Sequence, residues 1–184
     1  MSTISEMLTS NATVYPRDVA LIEVKPSERM RKQVTWKELD ERANMVANVL
    51  VDRGIRKGDK VIHWMMNSIN WVEAYFGIIR TGAWAVPLNY RFTSSEFKYC
   101  ADIAEAKAMI VGEEFVERVD AVRFQLPVIN DYIVVGQNAP EDVDGFEAVV
   151  GKASSEAPGV KLGSDDGCGL YFTSGTTGAP KPIL

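Results

Sequence analysis

The clearest hydrophobic pattern in the chain lies between Thr35 and Gly54, where apolar residues recur at the spacing of one helix face. Thr35 and Glu38 have the spacing of a capping box, in which two side chains satisfy free backbone groups at the start of a helix. Gly54 is a typical residue just beyond a helix end. The pattern therefore predicts an amphipathic helix. Its apolar face comprises Trp36, Leu39, Ala43, Val46, Ala47 and Leu50.

The rest of the chain alternates between short apolar runs and segments of helical periodicity. The alternation is regular from position 60 onward. It predicts an α/β fold with a mainly parallel sheet and helices on both faces. The expected strands are 19–24, 33–35, 60–66, 83–86, 108–111 and 132–135. The other expected helices are 4–10, 69–80, 113–124, a short one at 145–150, and one that follows a second capping-box spacing at Thr93 and Glu96 and runs through Phe97, Cys100 and Ile103.

The last part of the chain changes character twice. Residues 152–166 are poor in large apolar side chains and contain Pro158, which predicts a surface connector. The apolar run Cys168–Phe172 then predicts a short buried strand. Ligands of open parallel sheets bind at the carboxyl ends of strands. The residues that follow Phe172 are therefore candidates for a binding site.

Size and composition limit the class of protein. The 184 residues can bury one core, so we expect a single α/β unit over 1–184. Apolar residues make up 46% of the chain, which is typical of a folded protein. The net charge of −5 argues against nucleic acid or an anionic membrane as partner. We find no apolar run close to the roughly 18 residues of a transmembrane helix.

Three further features indicate a cytoplasmic protein without a metal centre. Met1–Asn11 lacks the basic start and apolar core of a secretory signal. Cys100 and Cys168 lie in apolar contexts, which favours free buried thiols over a disulfide. His63 is the single histidine and has no metal-ligand partners at a useful spacing. We interpret it as a packed strand residue in preference to a catalytic base.

The stretch Thr173–Lys181 concentrates residue types that bind phosphate. Gly175 and Gly178 allow left-handed backbone angles and a close approach to a ligand. Consecutive N–H groups in such a turn form an anion nest, and hydroxyl groups and a lysine add donors and charge. The pattern predicts a polyphosphate-binding loop. A flexible Ser/Thr/Gly segment is the alternative interpretation.

The spacing excludes two common phosphate loops. A Walker A loop needs four residues between its glycines and then Gly-Lys-Ser/Thr, whereas two residues separate Gly175 from Gly178 and Lys181 follows a proline. A dinucleotide fingerprint, Gly-x-Gly-x-x-Gly at the start of a helix, is also absent.

The stretch Thr173–Lys181 resembles the phosphate loop of the adenylate-forming enzymes, which include acyl-CoA synthetases, peptide-synthetase adenylation domains and luciferase. Their pattern, Ser/Thr-Ser-Gly-Thr-Thr-Gly-x-Pro-Lys, is matched at every position. Pro182 departs from it, because the family usually has glycine there, and proline holds the preceding residue extended. Other stretches resemble the family's earlier landmarks in its own order: 34–44, 58–61, 67–68 and 82–89.

The resemblance implies an acyl-CoA synthetase-type ligase that uses ATP, Mg²⁺ and coenzyme A to activate a carboxylic acid through an acyl-adenylate. It implies that 1–184 is the N-terminal part of a larger adenylation domain, that the chain stops just after the phosphate loop, and that the small C-terminal domain is absent. No catalytic residue and no metal ligand is expected in this chain, which alone is expected to be inactive. The resemblance implies phosphate-contacting roles for Thr173, Ser174, Gly175, Thr176, Thr177, Gly178 and Lys181.

Two alternatives stay open at this point. One is a non-catalytic α/β module, or a truncated product, that binds phosphate weakly or self-associates through an exposed sheet edge. The other is a flavodoxin-like binding protein, for which the sequence offers no flavin-specific feature.

Overall fold

The structure is a computed structural model and describes residues 2–126, 129–173 and 180–183. It has the α/β composition that the sequence predicts. The strands are β1 (Val19–Lys25), β2 (Met30–Thr35), β3 (Lys60–Trp64), β4 (Trp84–Pro87), β5 (Ala108–Gly112), β6 (Asp131–Val135), β7 (Asp144–Gly145), β8 (Tyr171–Thr173) and β9 (Lys181–Ile183). The helices are α1 (Ile4–Val14), α2 (Trp36–Asp52), α3 (Ile69–Arg80), α4 (Ser94–Ala104), α5 (Val116–Asp120) and α6 (Phe146–Val150).

A five-stranded sheet in the order β4-β3-β5-β6-β7 forms the centre of the molecule. Each neighbouring pair within it is parallel. The chain first adds β4 on one side of β3 and then adds the later strands on the other side. The order is therefore that of a doubly wound fold whose switch point lies between β3 and β5.

Alternate residues of each strand face different helices, which confirms that helices cover both faces of the sheet. On one face, Val61 and Ile110 belong to a core that also contains apolar residues of α2, α3 and α6. On the other face, Ile62 and Trp64 belong to a core that contains residues of α4 and α5. The two-residue periodicity of a strand places neighbouring side chains on opposite faces and so accounts for the two cores.

Close contact between α2 and α3 fixes the helical layer next to β3 and β4. A Cβ atom at Gly77 of α3 would lie 2.4 Å from the Val46 side chain of α2. Only glycine allows the two helix backbones to approach this closely without a shift. The α2 helix begins as predicted, because Thr35 and Glu38 form a capping box.

A buried arginine joins three helices at the outside of this layer. Arg80, at the end of α3, is 4% exposed. It donates hydrogen bonds to the Asp40 carbonyl oxygen at 2.7 Å, to Asn44 Oδ1 at 2.6 Å and to Thr9 Oγ1 at 3.0 Å. Because charged groups are costly to bury without partners, this network fixes α1 and α2 against α3.

Some local predictions need correction. Residues 113–124 are not one helix: α5 is flanked by 3-10 turns at Glu113–Phe115 and Arg123–Gln125. Glu113 begins the first of these turns, and its carboxylate accepts hydrogen bonds from the loop after β6. The first helix extends beyond the predicted end and reaches Val14. Within the described residues we find no helix with the length and apolarity needed to cross a bilayer.

Candidate functional site

The chain approaches the candidate loop along the edge of the parallel sheet. Ala85 of β4 donates its N–H to the Cys168 carbonyl at 3.1 Å, and Leu170 donates to the Ala85 carbonyl at 2.9 Å. Gly169 and Ala85 form a parallel bridge. The segment therefore runs in the same direction as β4 and leads toward the carboxyl edge of the sheet, where the sequence predicted the site.

The two ends of the candidate loop are paired strands. β8 and β9 form an antiparallel hairpin in which Thr173 lies opposite Lys181 and Phe172 lies opposite Pro182. Thr173 Oγ1 donates to the Lys181 carbonyl oxygen at 3.4 Å. Both side chains are exposed. The hairpin thus brings a hydroxyl group and an ammonium-bearing residue to the same place.

The remaining predicted site residues lie outside the described part of the chain. Their phosphate-contacting role stays a prediction. These residues are Ser174, Gly175, Thr176, Thr177 and Gly178.

The expectation of a buried strand at Cys168–Phe172 is only partly correct. Leu170 is buried, but Tyr171 is 46% exposed and the strand itself is Tyr171–Thr173. The reason is that β8 pairs with β9 and not with the central sheet, so one strand face is left uncovered by the described residues. Pro182 lies within β9, in the extended conformation that proline favours.

The charge at the hairpin suits an anion. None of the ion pairs among residues 2–126, 129–173 and 180–183 involves Lys181. An ammonium group with no carboxylate partner in the part of the chain that the structure describes can bind phosphate oxygens together with hydroxyl donors. The described residues contain no cluster of side chains that could hold a metal ion. The hydroxyl and ammonium groups at the hairpin are donors, which suits an anionic ligand.

The crevice at the switch point is a second place where a doubly wound protein could bind a ligand. A cavity of about 570 Å³ lies there, beyond the carboxyl ends of β3, β5 and β6. It is lined in part by Glu113, Glu114, Gln137 and Asn138.

The protein's own carboxylates occupy the backbone donors of this crevice. Glu113 accepts hydrogen bonds from the N–H groups of Gln137 and Asn138 at 2.9 and 3.0 Å. Glu114 accepts from the Met66 N–H at 2.8 Å. The hydrogen bonds from Asn138 and Gln137 lower the pKa of Glu113, so it is an anion at neutral pH. Five glutamates and two lysines line the crevice, so a flavin phosphate would meet net negative charge here, which argues against a flavodoxin-like protein.

Sequence reasoning missed this pair of carboxylates. The available signal was two glutamates directly after an apolar strand that ends at Gly112, and we read them as the start of a helix. The Glu114 carboxylate lies close to Gly112, because a Cβ atom there would be 2.4 Å from it and the carboxylate would have to move.

His63 is a packed strand residue, as interpreted from the sequence. Its side chain is fully buried, and its ring lies 4.3 Å from the Trp71 ring, measured between centroids. Burial lowers the pKa of His63 to about 3. The imidazole is therefore neutral at physiological pH, and its inaccessibility excludes contact with a substrate.

The fold is a doubly wound α/β arrangement, and the β8–β9 hairpin that carries the two ends of the candidate phosphate loop lies beside its edge strand β4. The family model described as "AMP-binding enzyme" matches residues 8–184. The chain belongs to this family of AMP-binding enzymes, which confirms the resemblance to adenylate-forming enzymes.

Relatives and solved structures agree with this assignment. The chain is 33% identical over 187 residues to the long-chain-fatty-acid–CoA ligase FadD13 of Mycobacterium tuberculosis, across 100% of the chain and 35% of the relative. It matches the anthranilate CoA ligase AuaEII in complex with anthranoyl-AMP with a TM-score of 0.90 and 29% identity, over 97% of this chain and 33% of that one. It matches the N-terminal domain of FACL13 from Mycobacterium tuberculosis with a TM-score of 0.86 and 33% identity, over 100% of this chain and 44% of that one. The chain thus spans 35% of the length of the FadD13 ligase and corresponds to the N-terminal portion of an adenylate-forming enzyme.

Proposed function

We propose that the chain is the N-terminal part of a ligase that activates a carboxylic acid with ATP and transfers the acyl group to coenzyme A. The observation that carries the proposal is the complete phosphate-loop sequence whose ends, Thr173 and Lys181, are paired at the edge of the sheet. Membership of the AMP-binding family supports it. So does the acyl-adenylate named in the complex of the similar anthranilate ligase.

The reaction has two balanced steps. A carboxylate oxygen of the acid attacks the α-phosphorus of ATP, the bond to the bridging oxygen breaks, and pyrophosphate leaves with that electron pair. The thiol of coenzyme A then attacks the acyl carbonyl, loses its proton and displaces AMP. Activation is needed because a free carboxylate is a poor electrophile, whereas AMP is a good leaving group.

In this proposal the loop contributes positioning and charge. Thr173, Lys181 and the five predicted residues between them hold the β- and γ-phosphates, and Lys181 stabilises the charge that develops on pyrophosphate. Mg²⁺ bound with the nucleotide shares this neutralisation. The chemistry at the α-phosphate and carboxylate is left to the remaining part of the longer enzyme, so we propose that the chain alone is inactive.

The substrate is proposed as a small-molecule carboxylic acid. Similar proteins are named for long-chain fatty acids and for anthranilate, which makes fatty and aromatic acids the first to examine. We propose coenzyme A as the thiol, since the relatives are named as CoA ligases. The cytoplasmic location expected from the sequence stays a prediction.

Product analysis tests the proposal. The chain, extended to the full length of its relatives, is incubated with ATP, Mg²⁺, coenzyme A and a panel of fatty and aromatic acids. We expect one class of acid to yield acyl-CoA together with AMP in equal amounts. Formation of ADP, or no acyl-CoA with any acid, contradicts the proposal.

One observation favours a second property, self-association. All three residues of β9 are exposed, and the same hairpin exposes Tyr171 and Ile183. An exposed strand edge with apolar side chains can pair with another chain. If the chain is only a non-catalytic module, it sediments as a dimer or larger species, and ATP with Mg²⁺ leaves its thermal midpoint unchanged. A rise in the midpoint that Lys181→Ala abolishes contradicts that alternative.

A further inference from the structure

A tyrosine pair links β8 to the helical layer of the sheet. The Tyr171 hydroxyl lies 3.4 Å from the Tyr75 hydroxyl of α3. Gly169 makes this contact possible, because a Cβ atom there would lie 2.8 Å from the Tyr171 ring. The Tyr171 ring therefore lies beside the bare backbone of Gly169, and its hydroxyl reaches the helix.

Tyr75 is a fixed anchor. Its ring is stacked on Trp71, with 5.7 Å between centroids and an interplanar angle of 6°. Burial raises the pKa of Tyr75 above its usual value, so the hydroxyl keeps its proton, and either hydroxyl of the pair can be the donor. The helix that carries it is held by the close contact of Gly77 with Val46.

The position of Tyr171 connects this anchor to the loop. Tyr171 and Thr173 are two residues apart in one strand, so their side chains lie on the same face of β8. Leu170 holds the chain in the core below β4, but Tyr171 itself is 46% exposed. The hydroxyl contact therefore restrains the strand immediately before the residues proposed to bind phosphate.

We propose that Tyr75 and Tyr171 are positioning residues: their hydroxyl contact fixes β8 and thereby holds Thr173, the first residue proposed to bind phosphate, in place for ATP. The inference rests on the proposed function and deepens it. Neither side chain needs to touch the nucleotide. The contact affects ATP binding by holding strand β8 in position, and it does not involve the acid substrate.

Tyr75→Phe and Tyr171→Phe in the full-length enzyme test the inference, because each removes one oxygen and keeps the ring. A hydrogen bond of this kind is worth about 0.5–1.5 kcal/mol, so we expect the KM for ATP to rise about two- to tenfold. The KM for the acid is expected to stay unchanged. The double variant is expected to match the single ones, because both lose the same contact.

Tyr99→Phe is the matched control, since Tyr99 lies in α4 and is 37% exposed. It is expected to leave both KM values unchanged. An unchanged KM for ATP in Tyr75→Phe and Tyr171→Phe, additive effects of the pair, or an equal rise in the KM for the acid would overturn the inference while the proposed function stands. A wild-type enzyme that forms no acyl-CoA overturns the proposed function itself and the inference with it.

Discussion

Thr173 and Lys181 lie opposite each other across a hairpin although they are eight positions apart in the sequence, and the Thr173 hydroxyl contacts the Lys181 carbonyl. The pairing closes the base of the loop between them. A closed base places the first hydroxyl and the terminal ammonium of the predicted phosphate site on neighbouring strands. This geometry allows both to act on one polyphosphate, as the proposal requires.

The first testable prediction concerns the contribution of Arg80 to the free energy of unfolding. Arg80→Met removes the buried guanidinium that donates to Asp40, Asn44 and Thr9. We expect the free energy of unfolding in urea to fall by about 3 kcal/mol, because buried acceptors lose a charged partner.

Arg31→Met on β2 is the control, because Arg31 is exposed and bonds only to Gln33 among the described residues. Its effect is expected to stay below about 0.5 kcal/mol. Equal losses for the two variants would show that the Arg80 network does not hold the helices together.

The second prediction concerns the close contact between helices α2 and α3 at Gly77. Alanine favours a helix over glycine by about 1 kcal/mol, but a Cβ atom at Gly77 would lie 2.4 Å from Val46. We expect Gly77→Ala to lower the free energy of unfolding by about 1–3 kcal/mol, because overpacking outweighs propensity.

A double variant separates packing from propensity. Val46→Gly alone leaves a cavity, whereas with Gly77→Ala it removes both the Cβ and the Cγ1 atom that the new methyl group would meet at 2.4 Å. The loss in the double variant is therefore expected to be smaller than the sum of the single losses. Strict additivity would mean that the α2–α3 contact adjusts freely.

The third prediction concerns the dependence of stability on pH that the buried His63 causes. Its folded pKa of about 3 lies below the unfolded value of 6.5. The unfolded state therefore binds a proton first as the pH falls, and stability present above pH 6.5 is lost progressively toward pH 3. Between about pH 7.5 and pH 5 the loss from this residue is about 2 kcal/mol.

His63→Leu removes the imidazole and with it this pH-dependent contribution to stability. Neither imidazole nitrogen has a hydrogen-bond partner among the described residues, so an apolar side chain of similar size forfeits no hydrogen bond there. We expect the free energy of unfolding of the variant to fall by about 2 kcal/mol less than that of the wild type over the same pH range. Parallel pH dependence of the two proteins would refute the account of His63.

Local signals made much of the fold predictable. The capping box of Thr35 and Glu38 and the helical period of residues 69–80 depend on neighbours in the sequence, and the structure has both. The α/β alternation sufficed for a parallel sheet with helices on both faces. The order of the strands could not be predicted from the sequence, because the pairing of β3 with both β4 and β5 depends on contacts between distant segments.

The candidate site was less accessible to sequence reasoning. The loop sequence identified the family, but the pairing of β8 with β9 is set by residues on either side of the loop. The Tyr75–Tyr171 contact and the Glu113 hydrogen bonds join segments far apart in the chain, and no local pattern marks them. Such contacts become visible only when the fold brings the segments together.

Isotope exchange between pyrophosphate and ATP tests the central claim most directly. The full-length enzyme and its Lys181→Met variant are compared in the presence and absence of the best acid, with Lys152→Met, an exposed lysine after α6, as the control. We expect exchange that depends on the acid, a loss of about tenfold or more in Lys181→Met and wild-type exchange in Lys152→Met, because Lys181 supplies charge to the leaving pyrophosphate. Acid-dependent exchange that survives Lys181→Met undiminished, or no exchange in the wild type with any acid, would contradict the account.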